Sequence, residues 1–341
     1  MQSPPESTFG LSALKKASDK FGVYVFPWGS PPPSFKDFAR VVEAAEFLGL
    51  DSVHIPYHLT LPTGWIFRDF GNRCIHDAVT LAAAVAARTS RIKIGLNAVV
   101  LPLAHPYLWA KSLSTIDVIS EGRSIAGVAI GWWDQEFDIV GVDIRKRAAI
   151  TDEQLEILSQ LWTKEKVTYH GRFYDLEAVE LEPKPLQKPH PPIWIGGGYR
   201  SVPRASKYAD FLMPETPTLQ EIRDEYVPKL REAGRKEGRD ARVAVFTYAA
   251  VEKDPTRFEG SMLPKLRKCL DFDGSLQGKP PSFVRDVTFS GFPEECAEKI
   301  GSFLDAGASY FVLDFQFHGL ASVDYAIEQM SLFANEVIPS L

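Results

Sequence analysis

The chain is poor in cysteine and contains no long apolar run. Its three cysteines, Cys74, Cys269 and Cys296, lie far apart and form no C-x-x-C pair. Thiols this few and scattered are typical of a reducing compartment rather than of a disulfide framework. The longest apolar run, residues 78–87, is about half of what a membrane span needs, and residues 1–20 lack a secretory signal pattern. We therefore expect a cytoplasmic protein with no membrane partner.

Clustered charge is also lacking. The formal net charge of the 341 residues is −6, and the basic residues form no run of five or more. Such a chain offers no footprint for the phosphates of a nucleic acid, so no nucleic-acid partner is expected. Serine-elbow, kinase and Walker motifs are absent, and no histidine, cysteine or acidic residues show the spacing of metal ligands. We therefore expect no metal site.

What the chain does contain is a series of short, continuous apolar segments separated by amphipathic helical patterns. Continuous apolar strands are covered on both faces, as in parallel sheets wrapped by helices. The pattern predicts a single (β/α)8 TIM barrel over residues 21–341, preceded by a loosely held extension, residues 1–20. An open doubly wound sheet is the alternative, disfavoured because its nucleotide-binding motif is missing. The predicted strands are 21–26, 52–55, 92–100, 125–130, 193–195, 211–213, 243–251 and 310–315.

Two segments depart from the repeating pattern. Residues 167–186 predict a small hairpin and a proline-rich linker, inserted after the helix that follows strand four. Residues 252–290 follow strand seven and contain glycines and prolines, which predicts a long loop. Loops this long in a compact domain are usually functional, so we expect an active-site lid there.

A glycine-rich turn follows the fifth predicted strand and precedes a helix. Glycines let backbone N–H groups approach an anion, and neighbouring polar side chains add donors. The turn is therefore either a phosphate cradle or a flexible connection, and the motif alone favours neither. Its residues are Gly196, Gly197, Gly198, Tyr199, Arg200 and Ser201.

Two polar residues stand at strand ends, where barrel enzymes place their chemistry. His58 follows strand two and is either a proton-transfer or ligand candidate or a histidine hydrogen-bonded for structure. Asn97 ends strand three, where it could face a bound ring or pair with a neighbouring strand end; the residue alone slightly favours the pairing.

Four tryptophans follow predicted strands and would converge on the carboxyl end of the barrel. A single tryptophan usually packs into a core, but four at one end offer flat apolar walls for a planar cofactor or substrate. With few titratable groups nearby, such a site suits a bound cofactor that carries the reactivity. The four are Trp28, Trp65, Trp132 and Trp133.

Several segments in order resemble the bacterial luciferase-like monooxygenase family, whose members depend on a flavin or a deazaflavin. The resemblance covers almost the whole chain. The segments are 21–26, 45–53, 95–141, 167–174, 188–198, 291–300 and 330–339.

The resemblance implies where the cofactor would bind. The ring would lie at the carboxyl end of the barrel beside a cis peptide at Asn97–Ala98, and the phosphate around 196–201. His58 matches the family's histidine after strand two. Tyr57 stands where the family often has an acid or a second histidine, and it is a candidate hydrogen-bond donor to an oxygen intermediate.

The resemblance also implies a reaction. The first hypothesis is a monooxygenase in which a separate flavin reductase supplies reduced FMN, O2 gives a C4a-peroxyflavin, and a small, apolar organic substrate is oxygenated. The alternative is a deazaflavin-dependent dehydrogenase or reductase that transfers a hydride, with Arg200, Arg204 and Lys207 along the cofactor tail. A non-catalytic flavin-binding protein is the third hypothesis. Relatives of this kind form homodimers or homotetramers, which we expect here too.

Overall fold

The structure, a computed structural model, describes residues 18–29, 33–60, 74–271, 276, 278–280 and 282–341. The predicted Trp65 and most of the amino-terminal extension lie outside these residues. None of the helices described is long and apolar enough to cross a membrane.

Parallel strands form the centre of the molecule. They are β1 (Phe21–Tyr24), β2 (Ser52–Ile55), β3 (Lys93–Val100), β4 (Ser124–Ala129), β7 (Ile193–Gly196), β8 (Phe211–Met213), β9 (Arg242–Val251) and β11 (Ala308–Asp314). Each pairs in parallel with the next, β9 pairs with β11, and β11 pairs with β1, so the sheet closes. The predicted (β/α)8 barrel is confirmed.

Helices cover the outside of the barrel and supply the second layer of the core. They are α1 (Phe35–Phe47), α2 (Ala78–Ala86), α3 (Pro106–Ile119), α4 (Asp134–Val140), α5 (Arg147–Thr163), α6 (Val202–Tyr208), α7 (Leu219–Glu221), α8 (Val227–Glu237), α9 (Pro255–Arg257), α10 (Leu263–Leu270), α11 (Phe283–Val287), α12 (Pro293–Asp305) and α13 (Val323–Leu332). π-Helical turns at Ile222–Tyr226, Phe258–Met262 and Phe333–Val337 join or extend some of them.

The ends of α1 show how local sequence sets the connections. Ser34 accepts a hydrogen bond from the Asp37 backbone, and the Asp37 side chain accepts one from Ser34, so both helix-end donors are satisfied. Gly49 follows the helix with φ of 78°, a left-handed conformation that glycine adopts without a side-chain clash. The turn directs the chain into β2.

The segment after α5 forms the predicted hairpin. Strands β5 (Lys166–His170) and β6 (Asp175–Glu180) pair antiparallel outside the barrel. The chain then passes through two cis prolyl bonds, Glu182–Pro183 and Lys188–Pro189, before it enters β7.

The described part of segment 252–290 differs from the expected loop, because it contains α9, a π-helical turn, α10 and α11. Phe258, Met262 and Leu266 recur every four residues and pack with Tyr248 and Phe317 in a separate apolar cluster. This helical spacing outweighs the glycines and prolines that suggested a loop. Strand β10 (Phe289–Gly291) then pairs with the end of β9. A lid role for the segment stays a prediction.

The inside of the barrel is filled mainly by aromatic side chains. The cluster includes Tyr24, Trp194, Phe211, Phe246 and Tyr310, each less than a tenth exposed. These rings fill the barrel below the strand ends, and a large cavity opens above them at the carboxyl ends of the strands.

Candidate active site

A cavity of about 720 Å³ opens at the carboxyl ends of the barrel strands. The structure brings most of the predicted site residues to its wall, although they come from distant parts of the chain. Predicted residues at the wall are Trp28, Tyr57, His58, Asn97, Ala98, Trp132, Gly196, Gly197, Gly198, Tyr199, Arg200 and Ser201. Their functional roles stay predictions.

His58 is held by a buried carboxylate. Its Nδ1 lies 3.1 and 3.2 Å from the two carboxylate oxygens of Glu136, which is 1% exposed. The backbone N–H of Leu59 donates to the same carboxylate at 2.6 Å. A carboxylate beside Nδ1 keeps a proton on that nitrogen and fixes the plane of the ring. Nε2 is then the nitrogen available for chemistry in the cavity.

Tryptophans surround the His58 ring. The ring centroids of Trp28, Trp132 and Trp133 lie 5.9, 6.1 and 6.4 Å from that of His58. Trp133 is not part of the cavity wall, but its ring stacks with that of Trp132 at 6.4 Å. Large apolar rings on several sides of an imidazole limit the access of water to it.

Tyr57 lies on the cavity wall beside His58. Its ring packs edge-on against Trp109 at 5.3 Å, and only 7% of the residue is exposed. Burial raises the pKa of Tyr57 to about 12, so the hydroxyl keeps its proton across the physiological range. Tyr57 can therefore donate a hydrogen bond into the cavity, whereas an ionised carboxylate could only accept one.

The end of β3 forms the floor of the cavity. The Asn97–Ala98 peptide is cis, as the resemblance implies. The Asn97 side-chain nitrogen donates to Nδ1 of His54 on β2 at 3.0 Å, so the asparagine does pair with a neighbouring strand. The Tyr24 hydroxyl donates to the Asn97 backbone oxygen. Asn97 is thus both a paired strand residue and part of the cavity wall.

The glycine-rich turn comes directly after β7 and lines the same cavity. Gly197 has φ of 137°, and a Cβ there would lie 2.5 Å from Ser201 Oγ. Any larger residue would therefore displace the Ser201 hydroxyl, and its backbone conformation would be strained. Only glycine keeps this backbone conformation with the Ser201 hydroxyl in place.

Arg147, which the sequence patterns did not indicate, lies on the cavity wall with Arg200. Its Nη1 donates to the Ile144 backbone oxygen at 2.9 Å. Its Nε is buried and has no hydrogen-bond partner among the residues that the structure describes. A buried guanidinium nitrogen without a partner is costly, so an anion that accepts from it would be stabilised. Arg147 begins α5, far in sequence from the glycine turn, and no local motif marked it.

A second histidine, His318, reaches the cavity from beyond β11. Phe317 and His318 both have left-handed backbones, with φ of 51° and 54°. The Asp314 carboxylate holds this turn by accepting from the backbone N–H groups of Gln316 and His318 at 2.7 and 2.8 Å.

The surroundings of His318 keep its ring neutral. Burial lowers the pKa of His318 to about 3, and Nε2 hydrogen-bonds to the Tyr248 hydroxyl. Trp28, which also packs on His58, donates from its indole nitrogen to the His318 backbone oxygen at 3.2 Å. His318, like His58, is a histidine just beyond a strand end. It was not identified from the sequence, although the same signal was present.

Residues 20–310 match the family model described as luciferase-like monooxygenase. The chain belongs to this family. The matched residues include most of the barrel and the cavity-wall residues named above except His318. It supports an oxidoreductase of the monooxygenase type, without specifying the reaction.

A curated relative agrees with this assignment. The chain is 32% identical over 178 residues to the FMNH2-dependent dimethylsulfone monooxygenase of Pseudomonas putida, which is 51% of this chain and 48% of that protein. The match thus spans about half the length of this curated relative.

Two solved structures share the fold. Monooxygenase RslO1 from Streptomyces bottropensis has a TM-score of 0.79 at 23% identity, covering 94% of this chain and 99% of that one. An F420-dependent secondary alcohol dehydrogenase has a TM-score of 0.78 at 20% identity, with the same coverage of 94% and 99%. At these identities the likeness concerns the fold alone.

Proposed function

We propose that the protein is a monooxygenase that uses reduced FMN and O2 to oxygenate a small, apolar organic substrate, with a separate flavin reductase supplying the reduced flavin. One observation carries the proposal: a single cavity joins a cationic, glycine-lined end to an aromatic end that holds a carboxylate-bound histidine. A homodimer or homotetramer in the cytoplasm remains part of this proposal.

The cationic end fits the phosphate of FMN. Ser201 and the glycine turn offer a hydroxyl and backbone donors, and Arg147 and Arg200 stand on the same wall. The buried Nε of Arg147 would gain the acceptor that the described protein atoms do not give it. When bound, reduced FMN supplies the electrons that activate O2.

The aromatic end fits the reaction that the proposal requires. Trp28 and Trp132 exclude water from the neighbourhood of His58 and favour an apolar substrate. Tyr57 holds a proton on its hydroxyl and can donate a hydrogen bond to a developing negative charge. His58, oriented by Glu136, can accept or return a proton at Nε2.

Of the three cations expected along a deazaflavin tail, two contact other side chains of the protein. Arg204 pairs with Asp152 at 2.6 Å, and its side chain is 9% exposed. The Lys207 ammonium lies over the Tyr208 ring, 4.8 Å from its centroid. Of the three, Arg200 is the one on the cavity wall. This arrangement favours FMN, whose phosphate is compact, over the deazaflavin.

Parallel anaerobic titrations test the cofactor. Reduced FMN and F420 are each titrated into the protein, and binding is followed by the spectra of the two cofactors. We expect reduced FMN to bind at least about tenfold more tightly, which corresponds to about 1.4 kcal/mol. Tighter binding of F420 would instead favour the hydride-transferring dehydrogenase or reductase.

Incorporation of labelled oxygen tests the reaction. The protein is supplied with reduced FMN, ¹⁸O2 and a panel of small apolar sulfides, sulfones and ketones, and the products are analysed by mass spectrometry. We expect one label atom in the product of at least one substrate class. Tight flavin binding with no labelled product, and no O2 consumption beyond that of free flavin, would favour the non-catalytic flavin-binding protein.

A further inference from the structure

A line of hydrogen-bonded side chains runs through the interior of the barrel, from the cavity floor to the opposite end. Asn97 Nδ2 lies 3.0 Å from His54 Nδ1, and His54 Nε2 lies 2.8 Å from Ser52 Oγ. Ser52 Oγ lies 2.6 Å from the Tyr310 hydroxyl, which lies 2.7 Å from Asp51 Oδ2. We call these five residues the interior chain.

The interior chain is buried along most of its length. His54 and Ser52 are fully buried, and Asn97 and Tyr310 are 1% and 5% exposed. At the amino end of the barrel, Asp51 forms an ion pair with Lys93, whose Nζ lies 2.9 Å from Asp51 Oδ1. A line of polar groups inside an apolar barrel is stabilised by the hydrogen bonds that link its members.

Neighbouring strands make room for the interior chain with glycine. A Cβ at Gly22 on β1 would lie 2.2 Å from Ser52 Oγ, and one at Gly95 on β3 would lie 2.4 Å from His54 Nδ1. Both distances are far below van der Waals contact. A side chain at Gly22 or Gly95 would therefore displace Ser52 or His54.

The chemistry of each group fixes the direction of the hydrogen bonds. An aspartate paired with a lysine is ionised and can only accept, so the Tyr310 hydroxyl donates to it. Ser52 then donates to the Tyr310 oxygen, and His54 must donate from Nε2 to Ser52. This leaves His54 Nδ1 without a proton, so it accepts from the Asn97 amide nitrogen.

We propose that the Asp51–Lys93 ion pair sets the direction of the interior chain, and that His54 is a positioning residue that fixes which end of the Asn97 amide faces it. His54 then exists as the neutral Nε2–H tautomer. The inference concerns the protein without cofactor and goes beyond the proposed function, because it connects the cavity floor to the opposite end of the barrel.

The surroundings of Asn97 agree with this orientation. The amide nitrogen, which has two protons, also lies 3.3 Å from Met213 Sδ, a second acceptor. On the other side, Oδ1 faces Gly127, where a Cβ would lie 2.6 Å from it, and this oxygen has no hydrogen-bond partner among the residues that the structure describes. Burial lowers the pKa of His54 to about 3, which is consistent with a neutral ring.

Nitrogen NMR of the cofactor-free protein tests the tautomer directly. The protein is labelled with ¹⁵N at its histidine rings, and the His54 resonances are assigned through its backbone and recorded at pH 7. We expect a protonated Nε2 and an unprotonated Nδ1. A protonated Nδ1, alone or together with Nε2, would overturn the proposal. Because no cofactor is present, this outcome is independent of whether FMN binds.

The variant Tyr310→Phe tests whether the ion pair sets the direction. It keeps the ring but removes the hydroxyl, so Ser52 loses its acceptor and can donate to His54 Nε2. We expect the ratio of Nδ1–H to Nε2–H tautomer at His54 to rise by roughly fivefold or more, the worth of about one net hydrogen bond. The matched control is Tyr107→Phe, which removes a hydroxyl that donates to the Glu180 backbone oxygen on the surface.

The outcomes of this comparison are distinct. A tautomer change in Tyr310→Phe and none in Tyr107→Phe supports the proposal. An unchanged tautomer in folded Tyr310→Phe, or an equal change in both variants, overturns it. Should Tyr310→Phe fail to fold, the wild-type tautomer still decides whether His54 donates toward Ser52.

Discussion

His58 and Glu136 lie 78 positions apart in the chain, yet His58 Nδ1 and Glu136 Oε1 are 3.1 Å apart. The histidine follows β2 and the glutamate lies in the first turn of α4, after β4. Closure of the barrel brings these two strand ends to one face, where a buried carboxylate orients an imidazole that lines the cavity. The proposed chemistry at His58 depends on this contact.

Glu136→Gln tests the contact. Glutamine keeps the size of the side chain and an oxygen for the Leu59 N–H, but it removes the negative charge beside His58 Nδ1. We expect kcat for oxygenation to fall by about 10- to 100-fold, as for the partial loss of an acid–base group, with flavin affinity unchanged. Steady-state kinetics and flavin titration measure the two effects.

Glu46→Gln is the matched control for this variant. Glu46 also accepts backbone N–H groups, from residues 90–92, but it lies near the amino ends of the strands, away from the cavity. Its kcat is expected to stay at the wild-type level. Equal losses of kcat in the two variants would contradict a specific role for Glu136.

The arginines test the phosphate site. Removing a charged donor to an anion costs about 1.5–3 kcal/mol, so Arg147→Gln and Arg200→Gln should each raise the Kd for FMN by about 10- to 100-fold. Arg204→Gln is the control, because Arg204 pairs with Asp152 instead of lining the cavity. Titration by flavin fluorescence measures all three. A Kd raised as strongly by Arg204→Gln would place the phosphate elsewhere.

His318 predicts a dependence of stability on pH. Burial lowers its folded-state pKa to about 3, whereas an unfolded histidine titrates near 6.5. Between these values the unfolded state binds more protons, so this histidine destabilises the fold progressively as the pH falls below about 6.5. His54, with a folded pKa of about 3, acts in the same direction.

Asp314 acts in the opposite direction. Burial raises its folded pKa to about 7, above the unfolded value, so the folded state binds the extra proton between about pH 4 and 7. This proton uptake by the folded state offsets the proton that one of the two histidines takes up on unfolding. The two histidines and Asp314 together should therefore lower stability by about 1.4 kcal/mol per pH unit from pH 6.5 to 4.5.

His318→Gln isolates one histidine in this balance. The variant cannot take up a proton at this position on unfolding, so the decline of stability with falling pH should flatten by about 1.4 kcal/mol per unit. Urea unfolding at pH 6.5, 5.5 and 4.5 measures the slope. A slope equal to that of the wild type would show that His318 is not a buried neutral histidine.

The burial of the cysteines predicts how many thiols react in the native protein. Cys74 is exposed, whereas Cys269 and Cys296 are buried. Burial raises the pKa of Cys296 to about 12 and that of Cys269 well above its ordinary value, so neither forms the reactive thiolate at pH 8. A thiol reagent such as DTNB should modify one cysteine rapidly in the native protein and three after denaturation. Rapid modification of more than one native thiol would contradict the burial.

The barrel could be predicted from the sequence because buried parallel strands carry a local signal. Each of the eight apolar runs coincides with a strand of the ring, within a few residues at each end. The glycines and prolines of segment 252–290 predict a loop, and that prediction does not use the four-residue spacing of Phe258, Met262 and Leu266. The spacing indicates the helices that the described part contains.

The site could be predicted only in part, because its residues meet through the closure of the barrel. The glycine turn, His58 and Asn97 stand at strand ends and carry a local signal. Arg147 and the contact of Glu136 with His58 depend on the positions of helices, which no local pattern gives. To predict that His318 lines the cavity, one would have to know where β11 ends and that Phe317 and His318 adopt left-handed conformations.

A crystal structure of the protein with saturating FMN tests the central claim most directly. The proposed function predicts the phosphate at the glycine turn, within hydrogen-bond distance of Arg147 Nε and Ser201 Oγ, and the flavin ring against Asn97–Ala98. FMN bound with its phosphate away from both Arg147 and the turn, or a cavity that stays empty at saturation, would contradict it.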